Sequence, residues 1–250
     1  MLLLAFDTST DLCTVAVGEK DVLLGERNIC APRGHMQKLF PLTDSLLSDI
    51  GCDIQDIDAV AVGLGPGSFT GVRIGVSIAK GLAQGTRKPI VGVSSLDALA
   101  KPLSFCDGLV CAVVDAKKKE VYSCFYKCFG GNLQRLTDYK ALSPEKLCDK
   151  LNEMNLSVSD ETEGNEKITL VGDALNSHLS FFKERVKRAK FAPPNLWYPK
   201  ASSIKDLAFD RLENGESDDY LTLVPIYARI PIAEEMWEKK VRESVEGKKS

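Results

Sequence analysis

The chain lacks most of the features that narrow a function quickly. Net charge is small: 32 Lys and Arg stand against 35 Asp and Glu, a formal −3. That balance gives no general attraction to nucleic acid or an anionic membrane, so any RNA is expected to be held mostly by another subunit. No apolar run reaches the roughly 18–20 residues that span a bilayer. The eight cysteines include no C-x-x-C pair. No basic segment precedes the opening MLLLAF, whose apolar run ends at Asp7, so it reads as a first strand rather than an export signal. The cysteines are therefore expected to be reduced, mostly buried small hydrophobes in a cytoplasmic protein, not disulfides or zinc ligands. The Gly-Lys-Ser/Thr ending of a P-loop and the closely spaced glycines of a dinucleotide turn are also missing.

What is present is organised around Ala59–Ala83, AVAVGLGPGSFTGVRIGVSIAKGLA. Ala59–Leu64 has the pattern of a strand buried on both faces. Gly65, Pro66 and Gly67 break the chain, and Ser68 or Thr70 caps a helix expected over about 70–83. Gly71, Gly75, Ala79 and Ala83 recur every four residues, so one stripe of that helix is nearly bare backbone. Each glycine costs about 0.8–1 kcal/mol against alanine inside a helix, a cost that close approach of another backbone would offset. The approaching partner is either the chain's own sheet or a helix of another subunit. A phosphate-cradling loop is a weaker third reading.

Taken in order, strands are expected at 2–6, 14–18 and 22–26. A helical pattern follows, with Met36, Leu39, Phe40, Leu46, Leu47 and Ile50 at helical spacing, kinked or started by Pro41. After the central strand and helix come a strand at 89–93 and a helix opening at Ser95. The second half repeats the plan, with strands at 109–114, 120–129 and 133–139, a helix at 144–154, a strand at 168–172 and a helix at 175–186. Three strands, helix, strand, helix thus occurs twice, which suggests two similar lobes and a cleft between them. At 250 residues, two modest lobes are also the natural size. Residues 152–167 read as a polar surface loop, 223–229 as extended, and 231–250 as a charged tail with Trp237 and Val241 at helical spacing. The expected units are an N-terminal lobe over 1–100, a C-terminal lobe over 101–230 with part of its last helix packing back on the first, and the tail.

In combination, LLLAFDTST, the Ala59–Ala83 stretch, PIVGVSSLDALA, VVDAKKKEVY and VPIYAR resemble the TsaB (YeaZ, glycoprotease-like) family. The match is dense over 1–100 and collinear, though thinner, to about 230. The resemblance implies an α/β, actin-like and sugar-kinase-like (ASKHA) duplicated fold, with two lobes, each a mixed five-stranded sheet with flanking helices. It implies a non-catalytic assembly or activating subunit in bacterial tRNA threonylcarbamoyladenosine (t6A) formation. Such a subunit binds the catalytic paralogue TsaD, works with the ATPase TsaE, forms a homodimer alone and meets tRNA only indirectly, with no membrane role. The family's partner surface maps to His35, Leu39, Leu42 and Leu46 on the first long helix. On the second it maps to Phe69, Thr70, Gly71, Arg73, Gly75, Val76, Ala79 and Lys80.

No catalytic residue, metal site or cofactor is expected. Working ATPases of this fold grip phosphate with small residues in turns from both lobes. Asp7-Thr8-Ser9-Thr10 is compatible with that, whereas the turn after Asp115, Ala-Lys-Lys-Lys-Glu, has no glycine and more positive charge than relatives usually carry. Asp7, Thr8, Ser9, Thr10 and Asp115 are the weak candidates for holding a nucleotide or its metal. The catalytic paralogues place two histidines four apart on a helix; here His35 is followed at that spacing by Leu39, and His178 lies in the other half. The alternatives retained are an ATP-dependent small-molecule kinase of the same fold and a glycoprotease-like peptidase. The basic clusters, Lys117–Lys119 and 183–190, are expected to be a solvated turn and a helix C-terminus.

Overall fold

The computed structural model describes residues 1–117, 119–157 and 168–228, so the charged tail, Arg229 and most of the expected polar loop lie outside the described residues. The first lobe contains β1 (Leu3–Asp7), β2 (Leu12–Gly18), β3 (Leu23–Cys30), α1 (His35–Asp49), β4 (Ala59–Gly63), α2 (Phe69–Thr86), β5 (Ile90–Val93) and α3 (Ser95–Ala100). The second contains β6 (Gly108–Asp115), β7 (Val121–Phe129), β8 (Asn132–Arg135), β9 (Lys140–Leu142), α4 (Pro144–Ser157), β10 (Ile168–Val171), α5 (Leu175–Arg185), β11 (Ala189–Phe191) and α6 (Ala201–Glu213).

The two sheets share one plan. In the first the order is β3-β2-β1-β4-β5, with β1 to β3 antiparallel and β4 and β5 parallel to β1. In the second it is β11-β10-β6-β7-β8, with the same senses. The second sheet has six strands rather than five, because the expected strand at 133–139 is broken. Leu136 donates its amide to the Phe125 carbonyl, and Thr137 Oγ1 accepts from the Phe125 amide. Those bonds end β8, and β9 then pairs β7 separately. Pro41 lies inside α1 and does not divide it. The expected extended segment from Leu223 to Ala228 forms no regular strand.

Each lobe lends a helix to the other. Leu96 and Leu99 of α3 are buried in the core of the second sheet, and Tyr126 of β7 donates its hydroxyl to Asp97 of α3. Conversely, Ala201, Ile204, Ala208 and Phe209 of α6 pack in the layer on the first sheet. The Ala201 amide caps onto Thr14 Oγ1, and the buried Lys205 ammonium donates to the carbonyls of Glu19 and Lys20.

The glycine stripe of α2 faces inward. A Cβ on Gly71 would sit 2.1 Å from the Thr8 carbonyl oxygen, and one on Gly75 would sit 2.5 Å from Thr8 Oγ1. Thr8 Oγ1 donates to the Gly71 carbonyl across this contact. Ala79 and Ala83 continue the stripe into the first core with Val72 and Val76. The backbone approaching the bare helix is therefore the chain's own β1 turn.

Candidate functional site

A cleft of about 640 Å³ opens between the lobes. One wall is the turn after β1 (Ser9, Thr10, Asp11) and the start of α2. The other is the turn after β6 (Asp115, Ala116, Lys117) with Tyr122 and Asp173. An arm after α6 closes one side with Pro225, Ile226 and Tyr227. The arm is held along the first lobe. Arg211 pairs through both terminal nitrogens with Asp218 (2.9 and 3.1 Å), the Asp218 amide bonds the Ile90 carbonyl, and the Ile226 amide bonds the Leu64 carbonyl. Lys80 reaches from α2 to the carbonyls of Leu221 and Leu223.

At the cleft mouth, Arg73 lies over the Phe69 ring at 3.7 Å and donates through Nε to Tyr227 Oη at 3.2 Å. Phe69 and Tyr227 remain 59% and 52% exposed. Nothing in the sequence marks either aromatic as a cleft residue. The family resemblance puts Phe69 and Arg73 on the partner surface, and Tyr227 is only part of a matching motif.

The candidate nucleotide residues separate. Asp7 is completely buried: Oδ1 accepts from the Ser9 amide and hydroxyl, and Oδ2 from the Ser95 hydroxyl. Burial holds its carboxyl above the usual range, with the three donors pulling the other way. Asp7 and Thr8 are thus structural residues behind the wall, while Ser9, Thr10 and Asp115 stand on it. Asp115 Oδ1 accepts from the Lys117 amide at 2.7 Å and Oδ2 from the Lys117 ammonium at 2.8 Å. Asp173, at the start of the turn into α5, accepts the Asp115 amide at 2.9 Å. Burial first, and the negative Asp115 beside it, push the Asp173 carboxyl up to about 7. Asp173 follows β10 much as Asp115 ends β6, and that repeat was the signal that could have found it. Among the described residues, no group of three or more His, Cys, Asp or Glu side chains is arranged to hold a metal ion, and no helix is long and apolar enough to cross a membrane.

The expected partner surface requires correction at seven positions. His35, Leu39, Leu46, Gly71, Gly75, Val76 and Ala79 are buried within this chain, because the apolar sides of α1 and α2 pack on the first sheet. Phe69, Thr70 and Arg73 are exposed, and Leu42 and Lys80 are half-buried. His35 is 5% exposed with no hydrogen-bond partner on Nδ1, and burial lowers its pKa. The outer side of α2 carries Ile74, Ser77, Gly81 and Gly85. A Cβ at either of those two glycines would meet nothing within 4 Å. On α1, Met36 and Phe40 are exposed.

The family model for TsaD, tRNA N6-adenosine threonylcarbamoyltransferase, matches residues 29–237. The chain is 30% identical to the tRNA threonylcarbamoyladenosine biosynthesis protein TsaB of Haemophilus influenzae, over 96% of this chain and 97% of that protein. It is 42% identical to TsaB of Escherichia coli over 51% of this chain, the match spanning about half (55%) of that relative's length. A solved Pseudomonas aeruginosa protein described as similar to peptidase YEAZ superposes with a TM-score of 0.74 at 28% identity, covering 91% of this chain and 99% of that one. At 12% identity, the activator of 2-hydroxyisocaproyl-CoA dehydratase from Clostridium difficile superposes over 86% of this chain with a TM-score of 0.50, a likeness of fold alone. With similarity along nearly its whole length in both sequence and fold, this chain belongs to the TsaB (YeaZ) family of tRNA threonylcarbamoyladenosine biosynthesis proteins.

Proposed function

We propose that the protein is a non-catalytic subunit of the t6A-forming machinery. It docks the catalytic TsaD-type paralogue through the outer sides of α1 and α2, and the ATPase TsaE joins that assembly. The observation that carries this reading is the outer side of α2: Gly81 and Gly85 are open to solvent on a helix where no neighbouring group in this chain needs them small. Ile74 and Ile78 lie half-buried beside them, and Met36 and Phe40 stand 63% and 53% exposed on the adjacent helix. Glycines that cost helix stability without serving the monomer's own packing suit close approach by a helix of another chain. The non-catalytic reading draws support from the turns. Asp7 is sealed in the core, Asp115 is neutralised by Lys117, and the two histidines lie in different lobes, His178 against Phe182.

The test is co-purification with the TsaD-type paralogue. Gly81→Arg should abolish the complex while leaving the melting temperature of the isolated protein within a few degrees, and Phe40→Asp should weaken it. A complex that survives both substitutions removes this docking face. ATP turnover by the lone chain that is lost on mutating the cleft removes the non-catalytic assignment.

A further inference from the structure

We propose that the cleft between the lobes binds a planar ligand of nucleoside size that carries hydroxyl or amino donors and no phosphate. The cavity of about 640 Å³ lies within the roughly 300–1,000 Å³ range of small-molecule pockets. Its mouth offers two largely exposed rings, Phe69 and Tyr227, with centroids 6.1 Å apart and Arg73 laid against them. Such rings in a concave site favour a flat partner that stacks.

The inner end excludes phosphate for a specific reason. In an anion cradle, backbone N–H groups of the turns point at the ligand. Here the protein's own carboxylates hold three of those amides: Ser9 N–H goes to Asp7, Lys117 N–H to Asp115 and Asp115 N–H to Asp173. The Ser68 amide goes to the Ser9 carbonyl. The Ser9 hydroxyl also donates to Asp7, and Thr10 Oγ1 accepts from the Leu12 amide. Lys117, the one ammonium among the described lining residues, is paired to Asp115. At the inner end a polyanion would therefore meet the Asp11, Asp115 and Asp173 carboxylates, while the other lining cation, Arg73, lies at the mouth against the rings.

A ligand that donates fits the same surface. Among the described residues only Oδ1 of Asp173 has a protein donor, so Oδ2 is available to accept from a ligand hydroxyl or amine. The site does not depend on the α1–α2 docking face, and either assignment stands without the other.

The experiment is calorimetric titration of the full-length protein at pH 8 with adenosine and, separately, with magnesium–ATP. Adenosine should saturate, and magnesium–ATP should bind at least about tenfold more weakly. Tyr227→Ala and Phe69→Ala remove stacking from an exposed edge, and each should weaken adenosine about tenfold. Asp173→Asn keeps the Oδ1 acceptor for the Asp115 amide and should weaken adenosine to a similar degree. Thermal melting of each variant separates lost binding from lost folding. Magnesium–ATP binding as tightly as adenosine, no adenosine binding at millimolar concentration, or unchanged affinity in all three variants would overturn the proposal.

Discussion

The turns after β1 and β6 begin with the same local device and end with opposite roles. Asp7 accepts the amide of Ser9 and Asp115 accepts the amide of Lys117, each two residues on and each at 2.7 Å. This is the Asx turn that aspartate forms readily after a strand. In the first lobe the second oxygen turns inward to Ser95, and α2 closes over the turn with bare backbone at Gly71 and Gly75. In the second lobe the second oxygen turns outward to the Lys117 ammonium, whose side chain is largely exposed. The corresponding helix of that lobe, α5, packs through Leu175 and Phe182 instead of glycine. One copy of the turn has become core, and the other has stayed surface. The cleft therefore takes polar groups from both lobes and its aromatic mouth from α2 and the arm.

The hardest way to break this contrast is to put a side chain into the tight contact. Gly71→Leu drives a Cβ to 2.1 Å from the Thr8 carbonyl, a backbone atom that cannot move aside cheaply. It should cost more than about 3 kcal/mol or prevent folding. Ser177, like Gly71 the third residue of its helix, is exposed on α5. Ser177→Leu should stay within about 0.5 kcal/mol. Urea unfolding of the pair measures the asymmetry, and equal costs would mean that α2 is not packed as described. The aspartates form the next pair. Asp7→Ala strands the Ser9 and Ser95 donors in a dry interior and should cost about 3 kcal/mol, against about 1 kcal/mol or less for Asp115→Ala, whose partner Lys117 returns to water.

The fold was legible because both halves write it in patterns that survive without tertiary information. Buried strands, caps such as Ser68 and Ser94, and the repeated order of elements follow local rules. The break at Leu136–Asp138 was not legible, since it depends on Phe125 offering its backbone across the sheet. The bare stripe on α2 was visible, but its partner was not. Spacing reports that some backbone comes close, and only the packed turn at Thr8 identifies it. Gly81 and Gly85, which face outward, carry the same residue type at the same spacing, so spacing alone does not separate them from the inward pair. The cleft mouth was harder still, because Phe69 and Tyr227 lie far apart in sequence and meet only when the arm is strapped down by Asp218 and Lys80.

Asp173 offers the finest test, because it responds to pH in a direction fixed by its surroundings. Its carboxyl is raised from an ordinary value near 3.8 to about 7 by burial and by the neighbouring Asp115. Between those values the folded protein holds a proton that the unfolded chain releases. Stability contributed by this group is therefore fully present below about pH 4 and declines as pH rises toward 7. His35 pulls the opposite way, since burial lowers its pKa and the unfolded chain takes up the extra proton as pH falls below about 6.5. Replacing Asp173 with Asn removes the first effect and retains the acceptor for the Asp115 amide. The variant should match the parent at pH 4 and exceed its stability at pH 8 by about 1–2 kcal/mol, read from urea unfolding at both values. A parent curve that rises with pH between 4 and 7, together with an Asn variant no more stable at pH 8, would mean that Asp173 ionises freely. The two turns would then differ only in packing and not in charge.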